Sequence, residues 1–263
     1  MKNILLAFCL LLIASISFAQ TSPDHYLKQL PPLPQNICET SSADKAPFLK
    51  LVRNLRDTMD RDIVTRREEM QVYVSAKRVR PPTGAMLAPE PEKKPDVEKR
   101  SSVDPQPAGR NVSLQQELKE LIDLVETRKS AVLERIKALD QNASAMKEKE
   151  IDPFHRQISS LASPVATKEQ MDRVNQLALK LKENQSRYCR TYSPQYLALL
   201  EEYLSAVKAS LPDYERMEAI AAKTQMGLDE PNTAISGLFG IEAVRDYLAL
   251  ASKVYKYNLP YEY

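Results

Sequence analysis

The sequence predicts an all-α protein: an elongated bundle of five to six helices with a long coiled-coil-like hairpin and a disordered Pro-rich linker. Three observations carry this expectation. Only 5 glycines occur in 263 residues and Trp is absent, while Leu, Ala, Glu, Lys and Gln recur; this is a composition of helix formers. Apolar residues fall three or four apart over long stretches, which is the helical period. Strand-like alternation is missing apart from Val72-Tyr73-Val74, which fits a helix equally well.

Residues 1–19 read as a secretory signal peptide. Lys2 supplies the positive start, Ile4 to Ile13 the apolar run, and Ser17-Phe18-Ala19 the small residues before a cut between Ala19 and Gln20. The apolar stretch falls short of the roughly 20 residues of a membrane-spanning helix. The expected product is therefore exported, periplasmic or secreted, with no membrane span once the signal is gone. About 244 residues remain, enough for one large or two small domains. The net charge of +2 includes Lys2. The mature surface is therefore nearly balanced and gives no electrostatic reason to expect nucleic acid.

Of 3 cysteines, Cys9 leaves with the signal; bulky Phe8 before it does not suit lipidation. Cys38 and Cys189 remain, an even pair for an oxidising compartment, and a disulfide between them is expected. Such a bond would stabilise the fold by roughly 4–5 kcal/mol in the chain-entropy model.

Residues 20–46 contain the Leu30-Pro31-Pro32-Leu33-Pro34 run and read as an extended N-terminal segment. Over 47–79 the apolar positions Phe48, Val52, Leu55, Met59, Ile63, Met70 and Val74 define the first helix of the bundle. Residues 80–111 hold seven prolines among charged and polar residues. They read as a disordered linker that cannot bury enough surface to offset its ordering entropy.

Residues 112–263 complete the same helical domain. The longest helix, about 113–150, has the seam Leu114, Leu118, Leu121, Val125, Val132, Ile136, Leu139 and Met146, interrupted by Arg128. Asp152-Pro153 restarts a short helix through Leu161. Thr167-Lys168-Glu169-Gln170 matches a capping box and opens a helix to about Arg190. Ser193-Pro194 starts a separate helix, Ser210 caps a continuation, and a last helix runs from about Gly240 to Tyr257. A bond between Cys38 and Cys189 would bring the start of the 47–79 helix to the end of the 168–190 helix. Those two would then run antiparallel, the 113–150 helix would run parallel to the first, and the linker would retrace the bundle, roughly 50 Å.

Catalytic and cofactor chemistry finds little to stand on. His25 and His155 are the 2 histidines. Asp152-Pro153-Phe154-His155 resembles half of a carboxylate-x-x-His metal element, but a di-metal bundle needs two such elements and further carboxylates. Haem-attachment, zincin and phosphate-loop motifs are missing, so no cofactor or metal is expected. A glycosidase-type acid pair wants a rigid aromatic cleft, and here the acids fall on polar helix faces. Sequons at Asn111, Asn142 and Asn184 lie partly inside predicted helices and read as chance matches.

The 12 tyrosines stand out. Tyr192, Tyr203, Tyr257 and Tyr261 form the candidate interaction surface, since Tyr is favoured at interfaces. The competing reading puts the rings inward and the hydroxyls outward along the bundle rim, and the spacing at 196, 203 and 214 favours it. The leading function is an exported, non-enzymatic binding or structural protein of the periplasm or cell envelope. It would engage a protein partner through a helix face or the long hairpin. The alternative is a holdase-like chaperone or envelope-assembly adaptor, and an enzyme with a carboxylate/Tyr site is the least favoured class.

Overall fold

The computed structural model describes residues 22–79, 108–161, 167–226 and 236–259, and every regular element among them is helical. The signal segment with Ala19 and Gln20, linker residues 80–107 and Tyr261 lie outside the described residues.

The N-terminal segment is not extended throughout. Helix α1, Pro23–Lys28, is capped by the Ser22 hydroxyl, which accepts from the His25 N–H, with Pro23 in the first turn. Its buried Tyr26 donates to Asp62. The Leu30–Pro34 run remains non-helical, and a 3-10 turn, Ile37–Glu39, follows. Helix α2, Ser42–Val79, begins five residues earlier than the apolar pattern predicts. Ser41 explains the shift, because its hydroxyl accepts from the Asp44 N–H and donates to the Asp44 carboxylate. Pro47 lies inside α2. It removes one backbone bond, which burial of Val52, Met59 and Ile63 on the same helix outweighs.

Helix α3, Ala108–Glu150, covers residues 108–111 that the sequence reading assigns to the linker. Helix α4, Asp152–Leu161, starts at Asp152-Pro153 as predicted. Helix α5, Lys168–Ala209, opens on the predicted capping box: the Gln170 N–H donates to the Thr167 hydroxyl, and the Thr167 N–H to the Gln170 side chain. It does not end near Arg190. It runs through Pro194, because Tyr188, Cys189 and Tyr192 on one side and Tyr196, Leu199 and Leu200 on the other are all buried. Their burial outweighs the roughly 3 kcal/mol an interior proline costs.

Helix α6, Leu211–Ala221, continues through a π turn, Ala222–Met226. The hydroxyl of Ser210 does not cap α6; it accepts from Arg128, which also pairs with Asp213. Arg128 therefore interrupts the α3 seam because the α5–α6 junction supplies its partners. Helix α7, Leu238–Ala251, gives way to successive turns over 252–257 instead of continuing to Tyr257. The Leu250 carbonyl, which a continuing helix would bond to the Val254 N–H, accepts from the Tyr196 hydroxyl and the Lys253 N–H.

Helices α3 and α5–α6 form the long antiparallel pair: Glu150 meets Arg187, Asn142 meets Tyr192, Arg135 meets Glu202, and Glu117 meets Arg216. Each of α3 and α5 is about 63 Å long at 1.5 Å per residue. Helix α7 lies antiparallel to α2, through Lys45–Asn258, Phe48–Tyr255, Asp60–Arg245 and Arg67–Glu242. It is also antiparallel to α5, with Tyr257 beside Tyr192 and Tyr196 bonded to Leu250. Helix α2 is therefore parallel to α5 and antiparallel to α3, the reverse of the expected topology. The expectation fails because Cys189 sits in the middle of one helix, not at the end of a shorter one. The C-terminal part of α2 and the N-terminal part of α3 then share one end of the bundle, so residues 80–107 need not retrace its length. Among the described residues, no helix is long and apolar enough to cross a membrane.

Candidate functional site

Tyrosine enters the core where α3, α5 and the C-terminal turns meet. Tyr188 and Tyr192 are one helical turn apart on α5, and Tyr196 follows after another four residues, so all three point to one face. Tyr257 packs among them, with ring centroids 5.8, 5.6 and 5.8 Å from Tyr188, Tyr192 and Tyr196, within the range of favourable aromatic pairs. The Tyr257 hydroxyl donates to Asp140 Oδ1 at 2.6 Å, and the Lys256 ammonium meets the same oxygen at 2.6 Å. Lys256 Nζ also lies 3.8 Å from the centre of the Tyr196 ring, a cation–π contact. Burial lowers the Lys256 pKa, and the Asp140 hydrogen bond works against that shift. Burial, then Asp140, holds Tyr196 and Tyr257 well above the ordinary phenol range. Neutral and already bonded, these phenols act as fixed hydrogen-bond donors.

The candidate surface needs correction here. Tyr192, Tyr203 and Tyr257 are only 8%, 3% and 2% exposed, so they are core residues and present no surface to a partner. Tyr192 spends its hydroxyl on the Asn142 carbonyl. The inward-ring reading accounts for their rings: Tyr192 and Tyr203 lie on the buried α5 seam, and Tyr257, in the C-terminal turns, packs against it.

Beside this cluster, Cys38 and Cys189 stand at disulfide distance, with Sγ–Sγ 2.17 Å and Cα–Cα 5.7 Å. Cys189 is buried and partly exposed Cys38 is not. The Asn258 side-chain amide donates to the carbonyls of Ile37 and Thr40, and Lys45 Nζ donates to the Asn258 carbonyl. The 3-10 turn, the middle of α5 and the C-terminal turns are thereby fastened at one place. A cleft of about 240 Å³ opens next to the cysteine pair, between the 3-10 turn and α5.

A second polar centre lies at the other end of α7. Glu218 on α6 is 5% exposed, and its two carboxylate oxygens accept from the Gly237 and Phe239 N–H groups at 2.7 and 2.9 Å. It thus caps α7 from outside, where Gly237 adopts φ 79° and cannot supply a side-chain cap. Burial pushes Glu218 up to about 7, against the pull of the two N–H groups and of Arg66. Arg66 donates to the neighbouring Ser236 carbonyl and pairs with Asp62. The expectation that acids lie on polar faces fails at Glu218. Its place one turn after Tyr214 and one before Ala222 put it on the inner face, a signal the spacing carried.

His25 is exposed and contacts Gln29, while His155 contacts Gln185. Among the described residues no group of three or more His, Cys, Asp or Glu is placed to hold a metal ion. The Asn184 amide, the atom a glycan would need, donates to the Glu150 carbonyl. Asp140, Lys256 and Asn258 were not singled out by the sequence, because a fixed polar group flanking an apolar seam looks like any solvated one. Ser193 was read as a helix start, and instead lies inside α5 with its hydroxyl 3.3 Å from Cys189 Sγ. Large apolar side chains are also exposed on several helices: Leu179 and Met171 by 69% and 51% on the first half of α5, Leu51 and Val64 by 57% and 53% on α2, and Ile122, Leu124 and Leu133 less so on α3. No family model matches the chain, and no curated protein or solved structure is significantly similar to it.

Proposed function

We propose that this is an exported, non-enzymatic helical protein that binds a protein partner through the outer end of its long hairpin. The observation that carries this reading is the exposure of Met171 and Leu179 on α5, beyond the Glu150–Arg187 contact where α3 ends. There the short α4 packs on α5, and apolar side chains left exposed on one stretch of a helix can serve as anchors for a protein partner. The signal segment and the cysteine pair support export.

Two measurements test the reading. N-terminal sequencing after cell fractionation should find a chain beginning at Gln20 outside the cytoplasm; a cytosolic chain retaining Met1 would remove export. A photo-crosslinking residue at position 179 should give a discrete adduct in envelope extracts that is absent when the label is placed at exposed Lys253. Equal labelling at both positions would sink the hairpin-end interface. Suppression of aggregation of many unrelated unfolded clients would favour the holdase reading instead.

A further inference from the structure

We propose that the Cys38–Cys189 bond is a thiol–disulfide exchange site, addressed at Cys38 by a dithiol-bearing partner, with Cys189 as the leaving group. The two cysteines differ in access. Cys38 lines the 240 Å³ cleft together with Asn36, Glu39, Arg190, Ser193 and Leu197, whereas Cys189 does not line it and is 3% exposed. A nucleophile arriving from solvent meets Cys38 first, and the sulfur that can be reached decides which half of a disulfide is attacked. Arg190 contributes a positive charge to a cleft that also contains Glu39, so an incoming thiolate is met by one favourable and one unfavourable group.

The leaving side is equipped for its role. Ser193 Oγ lies 3.3 Å from Cys189 Sγ. A disulfide sulfur carries no hydrogen, so the hydroxyl donates. Burial disfavours a thiolate at this position, and the Ser193 hydrogen bond offsets part of that penalty as negative charge develops on the sulfur. Pro194 is placed next to it by sequence and lines the same cleft.

The exchange balances as follows. A thiolate of the partner forms a bond to Cys38 Sγ as the Cys38–Cys189 bond breaks, and the electron pair leaves on Cys189 Sγ, which takes up a proton. The partner's second thiolate then attacks the partner sulfur of the mixed disulfide and releases the Cys38 thiolate, which is protonated in turn. The chain gains two thiols, and the partner dithiol becomes a disulfide.

Reduced glutathione serves as the probe. The folded, oxidised chain is exposed to it, quenched with acid, alkylated and mapped by peptide mass spectrometry. The expected result is glutathione on the Cys38 peptide with Cys189 as the free thiol, formed at a rate proportional to glutathione concentration. Ser193→Ala should slow that rate roughly threefold or more, as loss of a hydrogen bond to a developing charge implies. A variant that merely loosened the fold would react faster, so the direction separates the two causes. Glutathione on Cys189, a rate independent of thiol concentration, or an unslowed Ser193→Ala chain would each overturn the proposal.

Discussion

At the scale of single residues, the buried tyrosines are not equivalent, and their hydroxyls predict opposite responses to the same substitution. The Tyr214 hydroxyl is buried with no hydrogen-bond partner among the described residues. Tyr214→Phe should therefore leave stability unchanged or raise it by about 1 kcal/mol, because it removes a desolvated group that gains nothing in return. Tyr196→Phe loses the 2.8 Å bond to the Leu250 carbonyl and should lower stability by about 1 kcal/mol in urea unfolding. Glu218 supplies a pH signature. Its pKa rises from 4.5 unfolded to about 7 folded, so between those values the folded chain holds a proton that the unfolded chain has released. Its contribution is fully present below about pH 4.5 and is lost as pH rises to about 7. Glu218→Gln should flatten that part of the stability curve by up to about 3 kcal/mol relative to the parent, measured as the difference between the two chains at each pH. Matching slopes would show that burial at this site does not perturb the acid.

At the scale of elements, two close fits are exposed to test. A Cβ on Gly240 would lie 2.5 Å from Pro23 Cγ and 3.1 Å from its Cβ. Proline is rigid, so Gly240→Ala should push α1 off α7 and cost about 1–3 kcal/mol, with part of the loss recovered when Pro23→Ala is added. Pro194→Ala should raise the thermal midpoint of the oxidised chain, because the new N–H can bond the Arg190 carbonyl in a helix that already continues through this position. The elements also show which sequence signals can be read locally. The capping box at Thr167 depends on a neighbour three residues away and the Asp152-Pro153 start on an adjacent pair, and both are found where predicted. Pro194 misleads because the same Ser-Pro pair starts a helix when little is buried upstream, but is overridden when Tyr188, Cys189 and Tyr192 are held in the core. The end of α7 was hidden for a similar reason: Tyr196, distant in sequence, occupies the carbonyl that would have extended it. The tyrosine cluster was legible as a pattern of spacing, but its bonding to Asp140 and Lys256 depends on which helices become neighbours.

At the scale of the whole molecule, the arrangement follows from one fact: the cysteine pair joins the entrance of α2 to the middle of α5. Replacing both cysteines by serine should lower unfolding stability by roughly 4–5 kcal/mol, read as a shift in the urea midpoint, with the helical content retained below it. A loss under about 1 kcal/mol would mean that the Asn258 contacts and the tyrosine cluster already confine the same ends. The helix directions can be checked with a crosslink between positions 67 and 242, which the Arg67–Glu242 pair places in contact and which the opposite topology would separate. The same tie has a mechanical consequence. A pulling force applied ahead of Cys38 and beyond Leu259 would pass directly through the sulfur bridge into α5. The stretch between the cysteines, which are 151 positions apart in sequence and enclose α2, α3, α4 and the first half of α5, would carry no tension. Under load the protein would lengthen only through its C-terminal third and its short leading segment, and reducing the bridge would release the remaining contour length in a single event.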